Sequence, residues 1–297
     1  MKGRRMSSGI PRHARKALAA GIAVVLAASF LSACDGDSST TRSSTTRSST
    51  TASDPQVPTV NAKTLEAGQL TVGSDVPYAP FEFGDPPYIG FDVDLVGEIA
   101  KNLGLNSVFQ PAPFSSLLRQ TARGKFDLAA AAITITPRRE RTVAFSTPYL
   151  AANQALVVKP GSSIKSLKGL KGKVVGVQRG SIGADVAKQR IDAKRVRVFA
   201  TIDAAFSAVL AGDIDATIAD FPVAAYAGTT RPELEVVQKL STGEQYGLAF
   251  PKSSKRLRGL VNQQLEAMAK DGSYSAIYKK WFKSNPPSST LKQLKAG

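Results

Sequence analysis

Leu70-Thr71-Val72-Gly73-Ser74 is a short run with β-branched residues, followed from Phe91 to Leu103 by apolar positions at helical spacing. The same couplet recurs: Ser107 to Pro111 before Ser115 to Arg123, Lys173 to Val177 before Ser181 to Lys188, and Val196 to Phe199 before Ile202 to Ala211. Strand and helix alternating in this way predict parallel sheets covered by helices, because parallel strands need a crossover long enough to hold a helix. The fold class is α/β. Near the C-terminus Leu257, Leu260, Val261, Leu265 and Met268 fall at helical spacing, and a second helix ends at Lys279-Lys280-Trp281-Phe282; both apolar stripes read as core packing. The globular pattern begins at about Lys63, and about 230 residues suffice for one two-lobed unit or two small domains.

Upstream the character changes. Six cations (Lys2, Arg4, Arg5, Arg12, Arg15, Lys16) precede an apolar run from Ala17 to Phe30, then Leu31-Ser32-Ala33-Cys34. A basic segment, an apolar run too short for a permanent span and small residues before a cut predict a signal peptide over 1–33. Leu-Ser-Ala-Cys resembles the bacterial lipobox, and the resemblance implies lipidation of Cys34 and an extracytoplasmic protein lipid-anchored to the membrane. The alternative is an ordinary signal peptide with an incidental cysteine. Residues 34–62 then carry Ser38-Ser39-Thr40-Thr41-Arg42 and two further copies of that pattern, with almost no large apolar side chain. Such a segment cannot offset its ordering entropy and reads as a tether. Treated as a flexible coil of about 25 residues, it spans on the order of 25 to 30 Å. Its Ser/Thr density permits O-glycosylation.

The same cut narrows the chemistry. His13 is the one histidine and lies in the leader, and Cys34 is the one cysteine. The domain therefore lacks the groups for Ser-His-Asp or Cys-His nucleophilic sites and for zinc sites built on His or Cys. No disulfide forms within the chain, no cofactor or metal is implied, and carboxylates, Lys, Tyr and hydroxyls remain. The whole chain has 39 Lys+Arg against 23 Asp+Glu, and removal of the leader's six cations leaves 33 against 23, a net charge of +10. The cations are scattered among acids and no aromatic-rich basic strand motif occurs, so nucleic acid is not an expected partner. An anionic envelope surface, or simply a solvated basic surface that aids solubility, fits this charge.

Several spaced segments then carry a resemblance in one order: Gly73-Ser74-Asp75-Val76-Pro77-Tyr78-Ala79-Pro80-Phe81-Glu82; Gly90-Phe91-Asp92-Val93-Asp94-Leu95; Ile133-Thr134-Ile135-Thr136-Pro137-Arg138-Arg139; Ser166-Leu167-Lys168-Gly169; Gly176-Val177; and Gly212-x-Ile214-Asp215-Ala216 before Asp220. From about residue 68 to residue 283 the chain resembles the family 3 solute-binding proteins, the polar amino-acid receptors of ABC importers. The resemblance implies a two-lobed periplasmic-binding-protein type II fold, each lobe a mostly parallel sheet flanked by helices, joined by two hinge strands. Lobe 1 would comprise 64–152 and 246–297, and lobe 2 would comprise 153–245. Ala155 to Val158 and Tyr246 to Phe250 are placed to be the crossing strands. The protein would be a monomer, not an enzyme, delivering a free polar amino acid to an ABC permease.

An α-amino acid carries a carboxylate and an ammonium. By the family's pattern Arg139 forks the carboxylate through two parallel hydrogen bonds. Thr134 adds a hydroxyl to it, the Ala132 carbonyl accepts from the ammonium, and Asp220 supplies the ammonium's counter-charge. Arg139 alone could equally be a surface cation on an arginine-rich turn, and Asp220 a helix N-cap as well. Tyr78 and Phe114 match aromatic positions that sandwich the ligand side chain in glutamine-binding and lysine/arginine/ornithine-binding members, though a Phe opening a helix also serves as core. Asp75 matches a carboxylate aimed at the far end of the ligand, which favours an amide or cationic side chain.

The chain departs from the family where many members have Gln-Gly-Thr-Thr and it has Arg179-Gly180-Ser181-Ile182. Backbone N–H groups of Ser181 and Ile182 at a helix N-terminus can still meet a carboxylate. Arg179 either points into the cleft and favours a glutamate or aspartate ligand, or is solvated. Asp92 and Asp94 read as acids at a helix start, not as metal ligands, since no further oxygen ligand follows at loop spacing. The same fold also hosts cyclohexadienyl and arogenate dehydratases, for which Glu82 would be the candidate general acid, if it is not a strand-end surface acid. A further alternative is a receptor that reports an amino acid to a membrane signalling protein.

Overall fold

Five of the six residues of β1 (Gln69–Ser74) are buried, as befits a strand covered on both faces. α1 (Phe91–Asn102) buries Phe91, Leu95, Val96 and Ile99 along one stripe, and β2 (Asn106–Pro111) and α2 (Phe114–Ala122) repeat the couplet. The computed structural model describes residues 62–296; the signal peptide 1–33, Cys34 and all of the tether before its last residue lie outside the described residues. After α2 come the two-residue strand β3 (Leu128–Ala129), α3 (Pro137–Glu140), β4 (Ala144–Phe145) and the long β5 (Leu150–Val158). The second half runs β6 (Val174–Gln178), α4 (Ile182–Arg190), β7 (Arg195–Phe199), α5 (Ile202–Ala211), β8 (Ala216–Asp220), α6 (Phe221–Thr230) and β9 (Glu235–Tyr246). The chain then returns through β10 (Ala249–Phe250) to α7 (Lys255–Asp271), α8 (Ser273–Phe282) and α9 (Ser288–Lys295).

The strands form two five-stranded sheets, ordered β2-β1-β3-β10-β4 and β7-β6-β8-β5-β9. β1, β2 and β3 pair in parallel and so do β6, β7 and β8; β10 in the first sheet and β5 in the second run against both their neighbours. Each sheet is thus mixed, with one reversed strand. Two antiparallel stretches join the sheets. Ser146 N–H donates to the Leu248 carbonyl (2.9 Å), Tyr149 N–H to that of Tyr246 (2.8 Å), and pairing continues from Leu150 with Tyr246 to Val158 with Glu235. Ala155–Val158, expected at the crossing, lies instead inside the second sheet beside Thr217–Ala219. Its four side chains are fully buried, which requires cover on both faces, so the exchange between sheets falls earlier, around 146–150 and 246–249.

Aromatic rings lock the crossing to the first sheet's helices. Phe81 meets Phe91 edge-on (85°) and Tyr246 (71°), and Phe91 meets Tyr149 and Tyr274. Between β1 and α1 the chain makes a tongue, closed by bridges between Tyr78 and Glu82 and between Phe83 and Ile89. Gly90 ends it with φ 146°, where a Cβ would sit 1.9 Å from the Phe81 carbonyl oxygen, so this close approach admits only glycine. The predicted stripe Leu257, Val261, Leu265 and Met268 is buried on α7. Among the described residues no helix is long and apolar enough to cross a membrane.

Candidate ligand-binding site

The C-terminal ends of β1, β6 and β8 and the turn after β3 bring the predicted residues together, the usual place for a site in open α/β sheets. Arg139 is 5 % exposed, so it is no surface cation. The Thr136 hydroxyl caps α3 by accepting from the Arg139 N–H (3.2 Å), which fixes the start of the short helix that carries the guanidinium. That guanidinium donates to the Thr134 carbonyl (2.7 Å) and, across to the second sheet, to the Gly180 carbonyl (3.2 Å). Its carbon lies 5.2 Å from the centre of the Phe114 ring, a cation–π distance. Burial lowers the Arg139 pKa, opposed mainly by the charge of Asp220.

Asp220 closes β8 and is buried. Its carboxylate accepts from the Tyr78 hydroxyl (2.7 Å) and, very closely, from the Gln154 amide. These bonds explain why it makes no side-chain cap to α6, contrary to one expectation. Burial first, and then the charge of Glu244, raise its pKa to about 6. Thr134 donates its hydroxyl to Glu244 (2.7 Å), which also accepts from Gln154 (2.9 Å) and Thr242 (2.7 Å). Ala132 has φ 44°, unusual for a residue with a Cβ, and its N–H donates to Asp92 (2.9 Å). Asp92 also accepts from the Tyr149 hydroxyl (2.9 Å), and burial raises its pKa to about 7. Asp92 therefore shapes the turn under Ala132, while Asp94 accepts from Lys280 and Trp281 (2.6 Å each). Each has partners suited to a structural acid.

Asp75 spans the two sheets. It accepts from the Phe114 N–H (3.0 Å) at the start of α2 and from the Gln178 amide (2.6 Å) at the end of β6; burial raises its pKa to about 6 against the pull of both bonds. Ser181 caps α4, accepting from the Ala184 N–H (3.1 Å). The Ile182 side chain packs on the second sheet's core, so this residue can offer a ligand only its backbone. Arg179 is exposed to solvent.

Glu82 overturns an expectation. It is no strand-end surface acid: it is fully buried, and neither carboxylate oxygen has a hydrogen-bond partner. The tongue is the cause, because the Tyr78–Glu82 bridge turns the side chain inward while Gly90 clamps the Phe81 carbonyl. Burial first, then the charges of Asp92, Asp75 and Asp220, hold its pKa well above the usual carboxylate range. Gln154, Gln178, Thr242 and Glu244 complete the network and were not singled out from sequence. Gln154 had a readable signal: an amide that opens a buried apolar run must find polar partners.

The family model of bacterial extracellular solute-binding proteins, family 3, matches residues 70–284. The chain is 30% identical over 225 residues to the L-cystine-binding protein TcyJ of Escherichia coli K12, covering 74% of this chain and 85% of that protein. An ancestral arginine-binding protein bound to arginine superposes with a TM-score of 0.68 at 41% identity, covering 72% of this chain and 98% of that one. The ancestral amino acid-binding protein AncCDT-1, a precursor of cyclohexadienyl dehydratase, gives 0.68 at 38% identity, with 72% and 96% covered. With the site at the strand ends and the two sheets joined by β5 and β9, the chain belongs to the bacterial extracellular solute-binding proteins, family 3.

Proposed function

We propose that this protein is the extracytoplasmic receptor of an ABC importer and that it takes a polar amino acid with a cationic side chain, arginine or lysine, ahead of glutamine. One observation carries the choice: Glu82 is a buried carboxyl without a donor in a site already rich in acid. Asp75, Glu82, Asp92, Asp220 and Glu244 are buried, and among the described residues Arg139 is the one buried cation. Such an imbalance is relieved by a ligand that brings positive charge and worsened by glutamate or aspartate. Arg139 with Thr134 receives the ligand carboxylate, Asp220 and the Ala132 carbonyl its ammonium, Tyr78 and Phe114 flank its stem, and Asp75 with Glu82 meets its far end. The exposed Arg179 gives no reason to expect an acidic ligand. Lipidation of Cys34 would hold the receptor at the membrane beside its permease, and it acts there as a monomer.

Calorimetry with the twenty amino acids tests this reading. Arginine or lysine should bind most tightly; glutamate or aspartate binding more than tenfold tighter than either would overturn it. Glu82 also supports a second reading. A buried carboxyl whose pKa is held well above the usual carboxylate range is suited to act as a general acid, and AncCDT-1 is named as a precursor of a dehydratase. Turnover of prephenate or arogenate by the purified protein, abolished in Glu82→Gln, would favour that enzyme reading over the receptor.

A further inference from the structure

We infer that the free edge of the second sheet is a docking surface for a bilayer of anionic phospholipid. β7 is the outermost strand of that sheet, paired only with β6 and at the edge opposite β9. Arg195 N–H donates to the Lys173 carbonyl (3.3 Å) and the Phe199 carbonyl accepts from Arg179 N–H (2.9 Å). In a parallel ladder alternate residues bond to one side, so Val196 and Val198 turn their backbone groups outward. The two residues are 38% and 48% exposed.

Cations surround this strand. Lys171 bridges Ala193, and Val174 stands opposite Arg195, which sets Lys171 and Lys173 beside Lys194, Arg195 and Arg197, with Arg190 at the end of α4. Acids at this edge are fewer than the cations: Asp192 and Asp213 are exposed, Asp215 stands 3.7 Å from Lys173, and Asp185 is held by Arg138 (2.8 Å). A second copy of this edge is an unsuitable partner, because its cations would face these. A broad anionic surface fits better than a single acidic strand, since the cations extend from β7 onto the end of α4 and the turn before β6 as well as along the strand. Two exposed valines at the centre can enter the headgroup region while the cations meet phosphates, and each Lys or Arg near an anionic surface strengthens binding roughly fivefold. If Cys34 is anchored as proposed, the 27 residues between it and Ala62 put a membrane within this domain's reach. That reach rests on the proposed anchor; the surface itself does not.

The test is flotation of the purified, unlipidated full chain with vesicles of phosphatidylcholine, alone or with about 30% phosphatidylglycerol, the anionic component supplying the surface potential. Three forms are compared: the unaltered chain, the edge variant Lys171→Glu/Lys194→Glu/Arg195→Glu, and a control of equal charge, Lys279→Glu/Lys292→Glu/Lys295→Glu. The leader and tether are common to all three, so a difference between the edge variant and the equal-charge control reads the edge. The proposal expects binding that needs phosphatidylglycerol and fades in about 0.5 M salt, where charges are screened within a few ångströms. It expects the edge variant to bind at least tenfold more weakly and the control to stay within threefold. Equal losses in the two variants, no loss in either, or equal binding to pure phosphatidylcholine overturns it. Arginine calorimetry on both variants shows that the fold and the amino-acid site are intact, so failure of the surface and failure of the receptor reading are told apart.

Discussion

Glu82→Gln keeps the shape of the buried side chain and removes its charge, so it separates packing from electrostatics. The carboxyl has no donor, and burial with three neighbouring acids holds its pKa well above 4.5. A folded-state pKa raised above the unfolded one means that the folded protein holds the extra proton. The carboxyl then costs little below its unfolded pKa, its cost grows as pH rises through the window up to the folded pKa, and the cost is constant beyond. Leaving a buried polar group unsatisfied costs about 1–3 kcal/mol, and more when it is charged. The ligand-free Gln variant should therefore melt about 2 to 12 °C above the unaltered protein at pH 8, at about 2–4 °C per kcal/mol for a domain of this size. At pH 4 the two should melt together. With ligand the sign reverses: the variant loses a charge-assisted contact worth about 1.5–3 kcal/mol, so arginine or lysine should bind about 10- to 150-fold more weakly. Glutamine should change less than threefold. Thermal melts across pH without ligand and calorimetry at pH 7.5 read both effects. Cationic affinity within threefold of the unaltered protein, together with no pH-dependent difference in melting, would refute the assignment of Glu82.

Cys34→Ala should release the protein from the membrane fraction without altering its melting, since stable anchoring takes two acyl chains and this variant has none; full retention would sink the lipoprotein reading. Arg139→Ala should abolish measurable amino-acid binding in calorimetry and also lower ligand-free stability by about 1–2 kcal/mol, because the buried Thr134 carbonyl loses its donor. Affinity for arginine should fall as pH drops from 7 to 5, because Asp75 and Asp220, with pKa values near 6, take up protons and lose the charge that a cationic ligand needs; a flat profile over that range contradicts the charge-matching argument. Gly90→Ala should cost at least about 2 kcal/mol in chemical denaturation, since its Cβ collides with the Phe81 carbonyl and its φ is one that L residues avoid.

The α/β couplets were legible because each is long enough to show a period: Ile202 to Ala211 is α5 to the residue, and Leu70 to Ser74 is β1 less one. β3, β4 and β10 have two residues each, too few for any alternation, and they exist only because longer strands lie beside them. Arg139, Asp220 and Asp75 could be read from short motifs. Their partners could not, since Gln178 lies 103 residues from Asp75 and Gln154 lies 66 from Asp220. Glu82 shows the limit most sharply. Its local sequence, an acid between two phenylalanines before Gly-Asp-Pro-Pro, reads as a turn edge. What buries it is the packing of Phe81 onto Phe91, Tyr246 and Phe282, contacts that bring together segments far apart in the chain.

The partners of the site acids also indicate how a ligand would favour the closed arrangement. Three of the hydrogen bonds that join site residues across the sheets run from Arg139 to the Gly180 carbonyl, from Tyr78 to Asp220 and from Gln178 to Asp75. In each, one partner is charged or titratable and the other is neutral. On the proposed reading, a cationic amino acid would offer each ionic member an opposite charge: its carboxylate to Arg139, its ammonium to Asp220, its side-chain cation to Asp75 and Glu82. Each of these bonds already has one ionic member, and replacing its neutral partner by an opposite charge would add a Coulomb attraction that is stronger in a desolvated site than in water. Asp92 and Glu244 stand outside this exchange, because their bonds to Ala132, Tyr149, Thr134 and Thr242 hold the frame on which Arg139 and Asp220 are mounted. A ligand lacking the third charge would make two of the exchanges and leave Glu82 without a partner, and that difference is where discrimination between arginine and a neutral amino acid would arise.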